Sequence, residues 1–130
     1  MIRTVIAVVD DMFFVSKIRA TGKALGLIVK FPRTLDALRE TVNDEPPSLL
    51  LVDLHNEKID PIALANELKS DDRFSAIPLL GFFSHVQAEL QRNATQAGYD
   101  EVLPRSLFAR DLANILAGQI KRKRDGDGAQ

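Results

Sequence analysis

The sequence has no cysteine, and it has no apolar stretch long enough to span a membrane. Without cysteine the chain can form neither a disulfide nor a thiolate metal site, which suits a reducing compartment. A membrane helix needs about 18 or more consecutive apolar residues, and no such run occurs. The first predicted strand begins near Ile2 or Arg3, which leaves no room for a signal peptide. We therefore expect a cytoplasmic protein.

An excess of charge of either sign is also lacking. The 17 Lys and Arg residues nearly balance the 18 Asp and Glu residues, so the net charge is -1 and predicts neither a nucleic-acid partner nor a membrane surface. The length of 130 residues predicts one domain over residues 1–120. Residues 121–130 form a charged tail that we expect to fray. Its basic run at 121–124 is typical of a polar helix end rather than of a nucleic-acid site.

Short apolar runs alternate with amphipathic stretches along the whole chain. The predicted strands are residues 4–9, 27–31, 49–52, 77–83 and 101–103. A helical pattern follows each of them. Five strand–helix units of this kind predict an α/β domain with a parallel sheet, right-handed crossovers and helices on both faces. The second and fifth strands are the least apolar, so we expect the edges of the sheet there.

Several residues suit the ends of the predicted helices. Asp60 is a good N-cap, and Pro61 suits the first helical position after it. In the fourth helix, the apolar stripe from Val86 ends at Gly98, which suits a C-terminal cap. Ser106 can cap the last helix. The stripe of that helix is Phe108, Leu112, Ile115, Leu116 and Ile120.

Three carboxylates stand at the ends of two strands that are apolar throughout. Asp10 and Asp11 follow the first strand, and Asp53 follows the third. Open α/β sheets bind their ligands at the carboxyl ends of parallel strands. Acids that meet there repel one another unless a hard cation such as Mg²⁺ joins them. His55 and His85 are interpreted as loop histidines, because their separation and the lack of a third ligand argue against zinc.

A hydroxyl and a cation complete this pattern, because Ser84 follows the fourth strand and Arg105 follows the fifth. The local motifs are Val-Val-Asp-Asp at 8–11, Leu-Val-Asp-Leu at 51–54 and Ala-Gly-Tyr-Asp-Glu-Val-Leu-Pro-Arg-Ser at 97–106. With these features in this order, the chain resembles the receiver domain of bacterial response regulators over residues 3–120. The resemblance implies a flavodoxin-like (βα)5 fold, a doubly wound parallel sheet of strand order 2-1-3-4-5.

The resemblance also implies a function and a role for each site residue. Asp53 would accept a phosphoryl group from a partner histidine kinase or phosphotransfer protein. Asp11 and Asp53 would bind Mg²⁺ directly, Asp10 through water and His55 through its backbone carbonyl. Two phosphate ligands would be Ser84 and Arg105. The chain would then be a single-domain module of a two-component system, a monomer or weak homodimer that docks on a downstream protein and catalyses no metabolic reaction.

Three departures from the family pattern leave alternatives open. Arg105-Ser106 replaces the usual Lys-Pro, so we expect a trans bond there, since a non-proline cis bond costs about 3 kcal/mol. Guanidinium and ammonium bind differently, and Arg105 could instead pair with the acids in place of a metal. Val102 stands where an aromatic switch residue is common, and Asn56-Glu57 replaces Met-Pro. Ser84 could be an ordinary strand-end hydroxyl.

The main alternative is a pseudo-receiver, a phosphorylation-independent interaction scaffold with Arg105 in the acid pocket. A Mg²⁺-dependent hydrolase with an aspartate nucleophile is disfavoured, because the chain has no DxD motif on the first strand and no cap domain. Phe13 and Phe14 follow the acid pair directly. One of them should pack inward, and the other could contact a partner.

Overall fold

A computed structural model describes residues 3–84 and 87–121 of the chain. Five parallel strands form one sheet in the order β2-β1-β3-β4-β5, which confirms the predicted order. The strands are β1 (Thr4–Val8), β2 (Ile28–Lys30), β3 (Leu49–Asp53), β4 (Leu79–Phe83) and β5 (Glu101–Pro104). The helices are α1 (Met12–Ala24), α2 (Leu35–Asp44), α3 (Pro61–Lys69), α4 (Ala88–Ala97), α5 (Arg105–Arg110) and α6 (Leu112–Leu116).

The predicted strands differ from these bounds by one or two residues. Strand β1 ends at Val8 rather than at residue 9, and β4 begins at Leu79 rather than at residue 77. Pro78 explains the second difference, because it accepts a hydrogen bond from the Leu50 amide but has no N–H to donate in return.

The sheet separates two apolar cores, as expected for a sheet with helices on both faces. Successive side chains of a strand point to opposite faces, so Ile6 and Val8 pack with α2, α3 and α4, whereas Val5 and Ala7 pack with α1, α5 and α6. Each fully buried Val, Leu or Ile side chain stabilises the fold by about 1.5–3 kcal/mol. The edge strands are the least buried, as predicted, and Ile28 of β2 is 45% exposed.

The predicted caps of α3 and α4 are confirmed. The Asp60 carboxylate accepts hydrogen bonds from the amides of Ile62 and Ala63, at 3.0 and 3.2 Å. Gly98 ends α4 with a φ of 121°, a conformation that favours glycine. A Cβ there would also lie 2.5 Å from the side chain of Lys69.

The prediction for the last helix is wrong in two respects. Ser106 does not cap it, because the helix begins one residue earlier, at Arg105, with Pro104 at the cap position and no side-chain cap bond. Pro104 cannot donate to a further strand bond, so β5 passes directly into the helix. The helix is also interrupted at Asp111, which separates α5 from α6. The predicted stripe still packs inward, with Phe108, Leu112, Ile115 and Leu116 buried and Ile120 partly buried.

The peptide bond between Arg105 and Ser106 is trans, as predicted. Within residues 3–84 and 87–121 the structure contains no helix that is long and apolar enough to cross a membrane. The interpretations of His85, of Val86 and of the tail beyond Lys121 concern residues outside the described part of the chain.

Candidate functional site at the carboxyl edge of the sheet

The pairing of the strands brings the predicted site residues to one edge of the sheet. Strand β3 lies between β1 and β4, with Val8 opposite Val52 and Asp53 opposite Phe82. Phe83 then pairs with Pro104 of β5. The predicted site residues therefore lie at neighbouring strand ends. The acids follow β1, Asp53 ends β3, the hydroxyl follows β4 and the cation follows β5.

Asp53 is a partly buried carboxyl in an unfavourable electrostatic environment. Its Oδ1 accepts a hydrogen bond of 2.9 Å from the backbone amide of His55. Burial raises the pKa of Asp53, the charges of Asp11 and Asp10 raise this pKa further, and the amide and imidazole of His55 act in the opposite direction. The three acids are therefore close enough to interact, and the folded protein disfavours ionised Asp53.

Asp11 has a structural task that the sequence analysis missed. Its Oδ1 accepts hydrogen bonds from the amides of Phe13 and Phe14, at 2.9 and 3.3 Å, and so caps α1. An aspartate directly before a helical pattern is a recognisable N-cap signal. One carboxylate of the acid cluster is thus bound to the helix that follows it.

Asp10 pairs with a cation that the sequence analysis also missed. The Nζ atom of Lys58 lies 3.8 Å from Asp10 Oδ2, and the two side chains are 58% and 42% exposed. The side chain of Asn56 shapes the loop between β3 and α3 by accepting hydrogen bonds of 2.9 Å from the amides of Lys58 and Ile59. The sequence analysis noted Asn56-Glu57 as a departure from the family pattern, but it predicted neither this turn nor the partner of Lys58.

The donor types suit magnesium, but the carboxylates are not arranged around a metal position. Mg²⁺ prefers carboxylate and carbonyl oxygens, which Asp10, Asp11, Asp53 and the carbonyl of His55 provide. Across residues 3–84 and 87–121, no group of three His, Cys, Asp or Glu side chains is placed to hold a metal ion. Asp11 accepts both cap bonds through Oδ1, so its Oδ2 takes part in neither of them.

Ser84 and Arg105 line the same open groove, which has a volume of about 400 Å³. The guanidinium carbon of Arg105 lies 4.8 Å from the ring centre of Phe14, a cation–π contact. The structure does not favour the alternative that placed Arg105 in the acid pocket, because its guanidinium lies over a ring of α1.

The two phenylalanines after the acid pair have opposite environments. Phe14 is 2% exposed, whereas Phe13 is 60% exposed. The Phe14 ring centre lies 5.3 Å from that of Phe82 and 5.6 Å from that of Phe108, and the last two rings stack at 4.2 Å. This aromatic cluster lies on the α1 and α5 side of the sheet, whereas Val102 packs on the other side.

Two curated relatives match the chain in sequence, although no protein-family model matches it. The chain is 29% identical to the sensor protein TorS of Escherichia coli over 100 residues, which are 77% of this chain and 11% of TorS. It is 25% identical to the sensor histidine kinase CheAY of Helicobacter pylori over 123 residues, 93% of this chain and 15% of that protein. The chain thus spans only a small part of either relative.

Comparison with solved structures identifies the fold. A response regulator receiver domain of Bermanella marisrubri superposes with a TM-score of 0.77 at 16% identity, covering 90% of this chain and 97% of that one. The chain has a receiver-domain fold. The receiver domain of the sensor histidine kinase PA1611 of Pseudomonas aeruginosa superposes with a TM-score of 0.75 at 17% identity, over 89% and 95% of the two chains. That receiver has a magnesium ion coordinated in its active-site cleft.

Proposed function

We propose that the chain is a phosphoacceptor receiver domain that controls a protein–protein interaction in a two-component pathway, with Asp53 as the acceptor. The observation that carries this proposal is the position of Asp53. It is a partly buried carboxyl at the end of the central strand, with two acids after β1 on one side and the groove of Ser84 and Arg105 on the other.

The chemistry needs little beyond this arrangement. An oxygen of the Asp53 carboxylate attacks the phosphorus of the donor, the bond between phosphorus and the donor's leaving atom breaks, and an aspartyl phosphate forms. Catalysis of such a transfer rests mostly on positioning and on neutralising the charge of the phosphoryl oxygens. Ser84 donates a hydrogen bond to one of these oxygens, and Arg105 pairs with another.

The acid cluster would hold the magnesium ion in this proposal. Asp11 and Asp53 would bind it directly, Asp10 would bind it through water, and His55 would contribute its backbone carbonyl. When bound, the ion supplies the positive charge that offsets the three carboxylates and the incoming phosphoryl group.

One side chain must move for this to happen. Arg105 leaves the ring of Phe14 to reach the phosphoryl group. This movement releases a contact to the start of α1, the helix that Asp11 caps. The aspartyl phosphate, with about two negative charges, therefore changes the surface around α1 as well as the β4–β5 side.

The relatives support the kind of partner that we propose. TorS and CheAY are named as a sensor protein and a sensor histidine kinase, so a histidine kinase or phosphotransfer protein is the proposed donor, and a downstream protein is the target. The pseudo-receiver alternative has less support, because its central expectation was an Arg105 that neutralises the acids, and Arg105 stacks on Phe14 instead.

The proposal is tested by intact mass after incubation with acetyl phosphate and Mg²⁺. We expect one phosphoryl adduct in the wild type, none in Asp53→Asn, and none when Mg²⁺ is chelated. The Glu57→Gln variant removes a carboxylate from the same loop and should be phosphorylated like the wild type. An adduct that persists in Asp53→Asn, or a folded wild type without any adduct, contradicts the proposal.

A further inference from the structure

Lys58 forms an ion pair with one carboxylate of the acid cluster, that of Asp10. Its ammonium lies 3.8 Å from Asp10 Oδ2. The backbone around it is fixed rather than loose, because Asn56 accepts hydrogen bonds from the amides of Lys58 and Ile59, and Asp60 caps α3 immediately afterwards. The turn therefore holds the backbone of Lys58 beside the loop that carries Asp10.

The other charges around Asp10 show what this cation does. Asp11 and Asp53 add negative charge: burial is the main cause of the raised pKa of Asp53, and the charge of Asp11 adds to it. Arg19 and Arg33 line a neighbouring cavity with Asp10, but no ion pair joins either of them to it. Arg105 is held over Phe14. Lys58 is thus a cation held against the cluster through Asp10, beside the imidazole of His55, which acts on Asp53.

We propose that Lys58 is a tethered competitor of the divalent cation, a positioning residue that sets the Mg²⁺ affinity of the acid cluster through Asp10. This inference rests on the proposed function, since it takes the cluster as the metal site. A bound Mg²⁺ ion and the Lys58 ammonium repel each other, and both use the carboxylate of Asp10, the metal through water and the lysine by its ion pair. Metal binding therefore weakens the contact between Lys58 and Asp10.

The proposal predicts a charge-specific change in metal affinity. Two unit charges lie about 4 Å apart in such an exposed ion pair. At low ionic strength, their interaction free energy changes a binding constant by about threefold to fivefold. We expect Lys58→Gln to bind Mg²⁺ more tightly by about this factor, and Lys58→Arg to bind it like the wild type. Because salt screens exposed charges, the difference between Lys58→Gln and the wild type should shrink at high salt.

Calorimetric titration of each purified protein with MgCl2 measures this directly and does not depend on phosphorylation. The matched control is Lys23→Gln, which removes one positive charge from the last turn of α1, at the far end of that helix. Its affinity should equal that of the wild type. Circular dichroism verifies that every variant is folded.

The outcomes separate this inference from the proposed function. If the wild type and Lys58→Gln bind Mg²⁺ equally, or if Lys58→Arg behaves like Lys58→Gln, the inference is overturned and the metal site stands. If neither protein binds Mg²⁺, the metal site of the proposed function fails, and the inference fails with it. An increase in Lys23→Gln as large as that in Lys58→Gln shows a general charge effect and also overturns the inference.

Discussion

At the scale of single residues, the site is defined by carboxylates whose partners differ. Asp53 is partly buried and bound by the His55 amide, Asp11 caps α1, and Asp10 pairs with Lys58. Neighbouring acids in one cluster would otherwise repel one another. Each partner stabilises the charge of one carboxylate without a metal.

Asp53→Asn should stabilise the metal-free protein at neutral pH. A carboxyl whose pKa is higher in the folded protein binds more protons when folded, so the free energy of unfolding falls as the pH rises through the interval between the unfolded and folded pKa values. The folded pKa of Asp53 lies above its ordinary value of 3.8. The neutral amide keeps the oxygen that accepts from His55 but lacks the charge that burial disfavours.

The measurement is the melting temperature as a function of pH, with a chelator present. The variant should melt a few degrees higher than the wild type near pH 7, and this advantage should shrink as the pH falls and vanish below the ordinary pKa of 3.8. Glu57→Gln is the control and should show no such advantage. A variant that melts below the wild type at neutral pH contradicts the environment assigned to Asp53.

Individual partners were the least predictable part of the site. The sequence order placed Asp10, Asp11, Asp53, Ser84 and Arg105 at one sheet edge, because strand ends follow from the apolar runs. The direction of a long side chain does not follow from such a pattern. Arg105 has several rotatable bonds, and its position over Phe14 depends on which of two adjacent phenylalanines turns inward. The contact between Lys58 and Asp10 likewise depends on the path of a loop.

At the scale of helices and strands, the start of α1 links the acid cluster to the apolar core. Asp11 caps the helix, and two residues later Phe13 is exposed beside Met12, which is 63% exposed. The next residue, Phe14, enters the aromatic cluster. A change in the position of the Asp11 carboxylate therefore acts on the first turn of α1, which carries Met12, Phe13 and Phe14.

Variants of Asp11 should separate its capping task from its charge. Removal of an N-cap side chain costs about 1 kcal/mol, whereas Asn is as good a cap as Asp. In the absence of metal we expect Asp11→Ala to melt below the wild type and Asp11→Asn to melt at or above it. Added Mg²⁺ should stabilise only the wild type, because both variants lack the charged ligand. If Asp11→Ala and Asp11→Asn melt alike without metal, the cap is not important for stability.

A buried tyrosine joins α3 to the loop between α4 and β5. The hydroxyl of Tyr99 donates a hydrogen bond of 2.9 Å to the carbonyl of Pro61, and the side chain is 1% exposed. Burial raises the pKa of Tyr99 above its ordinary value, so the hydroxyl remains a donor throughout the neutral range. Tyr99→Phe keeps the ring and loses only this bond.

We expect Tyr99→Phe to lower the free energy of unfolding by about 1 kcal/mol, the usual net contribution of one intramolecular hydrogen bond. Denaturant unfolding measures this, and the loss should be the same from pH 6 to pH 8. Phosphorylation from acetyl phosphate should be unaffected. A loss above about 3 kcal/mol would show that the ring has repacked as well.

Element boundaries were predictable where a chemical signal marked them. Asp60-Pro61 and Gly98 gave the start of α3 and the end of α4, because a side-chain cap and a positive φ are local requirements. The start of α5 was mispredicted, since the sequence offered Ser106 as a cap and Pro104 ended the strand first. The break at Asp111 left the apolar stripe intact, so hydrophobic spacing alone could not reveal it.

At the scale of the whole molecule, the sheet brings five strand ends together and the two cores hold them there. Alternating patterns predicted helices on both faces, and the resemblance to receiver domains implied the strand order; both agree with the structure. The aromatic cluster of Phe14, Phe82 and Phe108 connects β4, α1 and α5 beneath Arg105. Since Val102 lies in the other core, we expect a signal from the site to reach the α1 and α5 side through Arg105 and Phe14.

The measurement that tests the central claim most directly is the location of the phosphoryl group. After incubation with acetyl phosphate and Mg²⁺, borohydride reduces an aspartyl phosphate to homoserine, which peptide mass spectrometry identifies by position. The account predicts homoserine at position 53 and at no other acid of the cluster. Homoserine at position 10 or 11, or none in a folded sample, would contradict it.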